Sequence, residues 1–318
     1  MTEPPADPYV RPDVRAFLDM MAANPRPPFT AEFIAQIRKM PIDMAAMMDL
    51  PVGELGEIRE LTMPGPGGDI ALRLFDVRAS RDPGSVVVFF HGGGFCLGNI
   101  DSHAGFCGEM ARQLDLPVVS VDYRLAPENP WPAGMDDGEA AARWITENGA
   151  AFGREFTGLI LCGDSAGGDL CLVTALALRG RPAVVPLLLQ VPIYPLADHS
   201  RPYPSRDTFG NGYALDSADM AMFDLHYACD KTHWRASPLL ADLEGMAPTV
   251  LVTASLDPLR DGGRAFAAKL VATGVPTCYY EATGSIHGFC SYRRVVPSAQ
   301  GDIDKIMALA RTMLGMQK

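Results

Sequence analysis

Unbroken apolar runs that alternate with helix-like stretches constrain this chain more than any other feature. Residues 86–90, 117–122, 159–162, 184–191 and 249–254 are too uniformly apolar for strands with one wet face. Between and after them come amphipathic stretches of helical period at 103–114, 135–148, 165–179, 263–272 and 302–314. Strands that are apolar on both faces need helices over both faces, so the pattern predicts an α/β architecture with a mostly parallel central sheet. Residues 70–75 alternate like a half-buried strand between Gly/Pro clusters, and 276–281 reads as a last strand. There is no internal repeat.

Two regions break this rhythm. Residues 12–23 and 30–50 read as two amphipathic helices, with Thr30 as N-cap of the second and Pro41 as a break within it. Met40, Met44, Met47 and Met48 share one face of that helix, an adaptable apolar surface suited either to core packing or to a lid over substrate. The stretch 196–234 holds no strand but gathers Tyr203, Phe209, Tyr213, Phe223, Tyr227 and Trp234 among turn residues. It reads as an insertion, either a helical excursion or a cover over a pocket at the carboxyl ends of the strands. The expected division is 1–52 as one part of a helical cap, 196–235 as the second part, and 53–195 with 236–318 as the α/β body.

Composition removes several classes. The net charge of −11 with no basic run argues against nucleic acid, whose binders cluster cations. The acidic, proline-rich opening MTEPPADPYVRPD has no apolar core, so it reads as neither signal nor transit peptide. The most apolar stretch, 184–196, is too short for a bilayer and interrupted by Pro186, Gln190, Pro192 and Pro195, so no membrane span is expected. Cys96, Cys107, Cys162, Cys171, Cys229, Cys278 and Cys290 form no CxxC pair and sit largely in apolar runs. Reduced, mostly buried thiols in a cytoplasmic protein are expected, without a zinc site. An exposed sheet edge leaves a homodimer open without indicating one.

The chemistry is carried by short motifs at strand ends. Gly163-Asp164-Ser165-Ala166-Gly167 fits G-x-S-x-G between an apolar strand and a helix. The string alone arises by chance about 0.1 times in such a chain, but the strand–turn–helix setting is what the chemistry requires. Small residues permit a strained turn that lifts the Ser165 hydroxyl off the sheet, and the helix start offers the Ala166 N–H to a developing oxyanion. His91-Gly92-Gly93-Gly94 follows the strand 86–90, and its glycines let backbone N–H groups approach a substrate closely. A serine nucleophile also needs a base and an acid to orient it. Of six histidines only His287, in a turn after the last strand, suits the chain order Ser, acid, His. For the acid, Asp257 stands immediately past the strand 249–254, with Asp261 as a near competitor.

HGGGF at 91–95, DYRLAPE at 122–128, GDSAGG at 163–168, DPLRD at 257–261 and HGF at 287–289 together resemble the hormone-sensitive-lipase-like branch of the α/β-hydrolases. The resemblance implies the α/β-hydrolase fold with a helical cap, a Ser165, Asp257, His287 triad, and an oxyanion hole from Gly93, Gly94 and Ala166. Asp164 before the serine resembles bacterial carboxylesterases that prefer short and medium acyl chains. Gly262 and Gly263 depart from the family's pattern, where an acidic residue is common, and leave the triad untouched. Tyr123, Arg124 and Glu128 match it as supports.

The function so implied is hydrolysis of small-molecule acyl esters through an acyl-enzyme, with no metal or organic cofactor needed. Amides, lactones and acetylated small molecules use the same machinery, while a ligand receptor on this fold would lack the histidine that stands here as His287. Phe95, Leu97, Phe209, Leu215, Ile286 and Phe289 are apolar neighbours of the motifs or of the insertion, and read either as acyl and alcohol pocket lining or as core.

Overall fold

In the computed structural model, which describes residues 7–39 and 47–316, eight strands form one sheet in the order β1-β2-β4-β3-β5-β6-β7-β8. The strands are β1 (Glu57–Gly65), β2 (Gly68–Asp76), β3 (Gly84–Phe90), β4 (Val118–Val121), β5 (Phe156–Asp164), β6 (Leu187–Ile193), β7 (Thr249–Leu256) and β8 (Thr277–Ile286). β2 runs antiparallel to both β1 and β4; every other pairing is parallel. The helices are α1 (Pro12–Ala23), α2 (Ala31–Lys39), α3 (Ala104–Leu114), α4 (Ala133–Glu147), α5 (Ala166–Gly180), α6 (Pro204–Phe209), α7 (Ser217–Tyr227), α8 (Arg260–Ala272) and α9 (Ala299–Met313).

The uniformly apolar strands are buried on both faces because their alternate residues serve two separate cores. Val86, Val88 and Phe90 join Leu159 and Leu161 in a core with Met135, Ala141, Leu170 and Phe266 of α4, α5 and α8. Val87 and Phe89 join Ile160 and Cys162 in the opposite core with Phe106, Met110, Ile303 and Ile306 of α3 and α9. Val14, Phe17 and Leu18 place α1 in this second core, with Phe17 against Tyr292 at 5.1 Å. A side chain of leucine size fully buried this way contributes about 1.5–3 kcal/mol, so the two layers supply most of the drive to fold.

Most expected elements stand within a few residues of their sequence positions. β6 is the clearest shift, starting only after Pro186 and running through Pro192 to Ile193, while Val184 stays exposed in the preceding loop. The edge strand β1 has no counterpart among the expectations, because Glu57, Arg59 and Glu60 interrupt its apolar pattern and only Met63 is fully buried. Met40, Met44 and Pro41 of the expected methionine face lie outside the described residues, as does most of the second half of that expected helix. All seven cysteines are free thiols, five of them buried. Among the described residues no helix is long and apolar enough to cross a membrane.

Parallel register brings the carboxyl ends of the central strands level. Phe90 of β3 pairs with Gly163 of β5, Asp164 of β5 with Ile193 of β6, and Leu256 of β7 with Ile286 of β8. The segments that follow these residues therefore open on one edge of the sheet, where ligands of such sheets bind.

Candidate active site

Ser165 sits on the turn between β5 and α5 with φ 54° and ψ −118°, a strained backbone for a residue with a side chain. The turn is tight enough that its flanks must be glycine. A Cβ on Gly163 would lie 2.1 Å from the carbonyl oxygen of Gly167, and a Cβ on Gly167 would lie 1.9 Å from that of Phe90. The Ser165 N–H is anchored on the Ile193 carbonyl at 2.9 Å, which ties the turn to β6.

His287 follows β8 and presents Nε2 to Ser165 Oγ at 2.7 Å. Its Nδ1 meets Asp257 Oδ2, also at 2.7 Å, and Asp257 is fully buried. The other oxygen, Oδ1, accepts the Leu259 N–H at 2.8 Å, so the carboxylate is fixed by its own turn. An ionised carboxylate only accepts, so Nδ1 carries the hydrogen and Nε2 is left to accept from the serine hydroxyl. The competitor Asp261 is engaged elsewhere: it accepts from Ser205 N at 2.9 Å and pairs with Arg260 at 2.8 Å.

The loop after β3 closes the other side. Among the described residues the N–H groups of Gly93 and Gly94 meet no protein acceptor, nor does that of Ala166 at the first position of α5. The loop is held from beneath by Asp164, whose Oδ1 accepts the Gly92 N–H at 2.8 Å and faces His103 Nε2 at 3.2 Å. Tyr194 donates to Asp164 Oδ2 at 3.3 Å, and its ring lies 4.8 Å from that of His287. Burial pushes the Asp164 carboxyl up, but His103, the Gly92 N–H and His287 outweigh it and hold the group below the usual carboxylate range. His91 is the reverse case. Burial, then the neighbouring His103, push its imidazole down to about 3, so it is neutral and its Nδ1–H donates to the Gly92 carbonyl at 2.9 Å. The thiol of Cys96, two residues past Gly94, is pushed up to about 12 by burial and is no competing nucleophile.

A serine hydroxyl aligned on an oriented imidazole, beside unpaired backbone donors at a helix start, is equipped for acyl transfer. A family model described as the α/β hydrolase fold matches residues 87–291, which span both the loop and the serine turn. The chain belongs to the α/β-hydrolases. Its relatives include the esterase LipI of Mycobacterium tuberculosis, 35% identical over 83% of this chain and 84% of that protein. Carboxylesterase NlhH of the same organism is 35% identical over 94% and 95%, and an ethyl acetate hydrolase of Pseudomonas putida 31% identical over 91% and 95%. Among solved structures, a thermostable esterase from Pseudomonas putida superposes with a TM-score of 0.89 at 28% identity, covering 98% of this chain and 99% of that one.

In this α/β-hydrolase the six apolar residues singled out for the pocket divide. Phe95, Phe209, Ile286 and Phe289 are almost wholly buried core: Phe95 stacks on Tyr227 at 3.8 Å and Phe289 packs edge-on to Tyr194 at 5.1 Å. They pack in the core beside the motifs. Leu97 and Leu215 are half-buried. A second aromatic ring of α7 meets the loop: Phe223 lies so close that a Cβ on Gly94 would be 2.5 Å from it. Phe223 stacks on Phe29 at 4.9 Å, and Arg26, lying over Phe29 at 3.9 Å, pairs with Asp219 of α7. The Phe29 carbonyl also meets His226 Nε2 at 3.1 Å. Of the family-matching supports, Tyr123 donates to the His91 carbonyl at 2.7 Å, Arg124 pairs with Asp137 at 2.7 Å, and Glu128 pairs with Arg38 at 2.7 Å. His103, Tyr194 and Phe29 were not legible as site residues in the sequence. Nothing local distinguishes a histidine at a helix start or a tyrosine after a strand from ordinary packing.

Proposed function

We propose that this α/β-hydrolase is a serine carboxylesterase acting on short- to medium-chain acyl esters, with Ser165, His287 and Asp257 as its triad. The observation that carries the reading is the unbroken hydrogen-bonded line from Asp257 through His287 to Ser165, 2.7 Å at each step. The esterase names of relatives alike over nearly the whole chain support it.

In acylation Ser165 Oγ bonds to the ester carbonyl carbon while its proton passes to His287 Nε2. The carbonyl oxygen becomes an oxyanion held by the N–H groups of Gly93, Gly94 and Ala166, each donor contributing about 3–4 kcal/mol by precedent. As the intermediate collapses, the bond to the leaving oxygen breaks and His287 returns the proton to it, releasing the alcohol. Water then adds to the acyl-enzyme with His287 as base, and the acid departs with Ser165 restored. Asp257 holds the Nδ1–H tautomer and stabilises the imidazolium throughout.

The cap of this enzyme is formed by the N-terminal segment and the insertion 196–235. The support is the contact of Phe29 and Arg26 with α7, and of Phe223 with Gly94. α1 belongs with the body, since Val14, Phe17 and Leu18 are core. An aromatic roof this close to the oxyanion loop leaves room for small acyl groups and excludes long ones by volume. Seven free thiols, mostly buried, favour a reducing compartment such as the cytoplasm.

Hydrolysis of p-nitrophenyl esters from acetate to palmitate by the purified protein, beside Ser165→Ala and His287→Ala, tests the reading. Turnover peaking near butyrate and collapsing in both variants is expected. A maximum at palmitate overturns the chain-length reading. Inert wild type overturns the ester reading and turns the search to amides and lactones.

A further inference from the structure

The residue just before the nucleophile is a buried carboxylate with three partners from three different segments, Gly92, Tyr194 and His103. Ser102 Oγ stands 2.8 Å from the Asn99 carbonyl, 2.9 Å from the Asn99 N–H and 2.8 Å from His103 Nδ1. A hydroxyl has one hydrogen. The carbonyl can only accept, so the Ser102 hydrogen goes there and the oxygen accepts from both the Asn99 N–H and His103 Nδ1. His103 Nδ1 is thus a donor. On the other side, Nε2 faces Asp164 Oδ1 at 3.2 Å, an oxygen that already accepts the Gly92 N–H at 2.8 Å. An ionised Asp164 at that distance favours a hydrogen on Nε2. A donor Nδ1 on one side and a carboxylate against Nε2 on the other suit a ring protonated on both nitrogens, and this one is 7% exposed beside a carboxylate 3% exposed.

We propose that His103 is a positioning residue held as an imidazolium, and that its ion pair with Asp164 sets the height of the oxyanion loop relative to Ser165. The inference rests on the serine esterase reading above. Asp164 is covalently next to the nucleophile and grips the first glycine of the loop, so the nucleophile and two of the oxyanion donors share one anchor. The cation opposite keeps the anchor charged, which strengthens its bond to the Gly92 N–H. Neither residue touches substrate. Their loss loosens the donors where charge develops, and so costs transition-state binding and spares ground-state binding.

The test combines kinetics, an oxyanion mimic and a direct reading of charge. With p-nitrophenyl butyrate, His103→Leu and Asp164→Asn are expected to lower kcat about tenfold or more with KM within about twofold, since positioning errors act on the chemical step. Affinity for a trifluoromethyl ketone, whose adduct carries the oxyanion, falls by the same factor as kcat/KM. His103→Gln, which keeps a donor for Asp164, recovers part of the loss. Nitrogen-15 spectra of the wild type at pH 7 show both His103 ring nitrogens protonated. A neutral His103, or His103→Leu with unchanged kcat and mimic affinity, overturns the proposal. If His103→Leu does not fold, His103→Gln and the spectra decide by the same criteria. Inert wild type would instead strike the esterase reading, which separates the two failures.

Discussion

In the proposed triad Ser165 depends on neighbours without side chains and on a pre-aligned base, and both conditions make quantitative predictions. Gly167→Ala would drive a methyl to 1.9 Å from the Phe90 carbonyl, so the turn must shift. We expect a loss of more than about 2 kcal/mol in stability by denaturant unfolding, with activity falling further than stability, because the hydroxyl leaves the line to His287. Asp257→Asn keeps the shape of the buried carboxylate but lets the imidazole take the wrong tautomer, and by precedent lowers kcat by about 10,000-fold in steady-state assays. His91 gives the pH dependence. Its imidazole stays neutral in the folded protein down to about 3, against a reference value of 6.5. Between those values the unfolded chain binds a proton that the folded protein refuses, so stability falls as pH drops through this window, by up to about 1.4 kcal/mol per unit. Asp164, depressed when folded, adds to the loss only at the acid end. Urea unfolding at pH 7, 6, 5 and 4 reads the slope, and a flat profile would contradict the buried neutral His91.

Between elements, the insertion meets the described part of the N-terminal segment at Phe29 and Arg26, and its Phe223 reaches Gly94 of the loop after β3. Phe223→Ala removes the ring over Gly94 that Phe29 braces, opening space for longer acyl chains. The octanoate to butyrate ratio of kcat/KM is expected to rise about tenfold or more, on the scale that pocket volume discriminates chain length. An unchanged ratio would place the limit elsewhere. This roof was hidden in the sequence for a reason that applies widely. Periodicity and strand-end motifs are local, so β3, β5, β7 and β8 and the segments that carry Gly93, Ser165, Asp257 and His287 could be read from residues alone. Which apolar side chain faces the cavity depends on how distant segments dock. Phe95, Ile286 and Phe289 adjoin motifs but turn into the core, whereas Phe223 comes from the middle of an inserted helix. β1 escaped for the opposite reason, since an edge strand needs burial on one side only and tolerates the charges that mask it.

Over the whole molecule, the N-terminal segment is stitched to the body at both ends of its path. Arg11 pairs with Asp302 of α9 at 2.5 Å, and Asp49 pairs with Arg293 at 2.6 Å. The second pair is almost wholly enclosed, with side chains 4% and 1% exposed. Asp49→Ala would leave the buried Arg293 charge with only the longer contact to Glu109 at 3.8 Å, a loss of about 3 kcal/mol by calorimetry or urea unfolding, above the effect of an exposed pair. The stitching lets α1 share the core that supports β8 and His287, while the stretch beyond it reaches across to α7. Sheet, serine turn and proposed cap thus converge on one hydroxyl. A fluorophosphonate, which loses fluoride and bonds to an activated serine, reads this convergence most directly when followed by peptide mass mapping. Stoichiometric labelling of Ser165, abolished in Ser165→Ala and strongly slowed in His287→Ala, is the predicted result. Label on another residue, or none from a protein that still hydrolyses esters, would contradict the account.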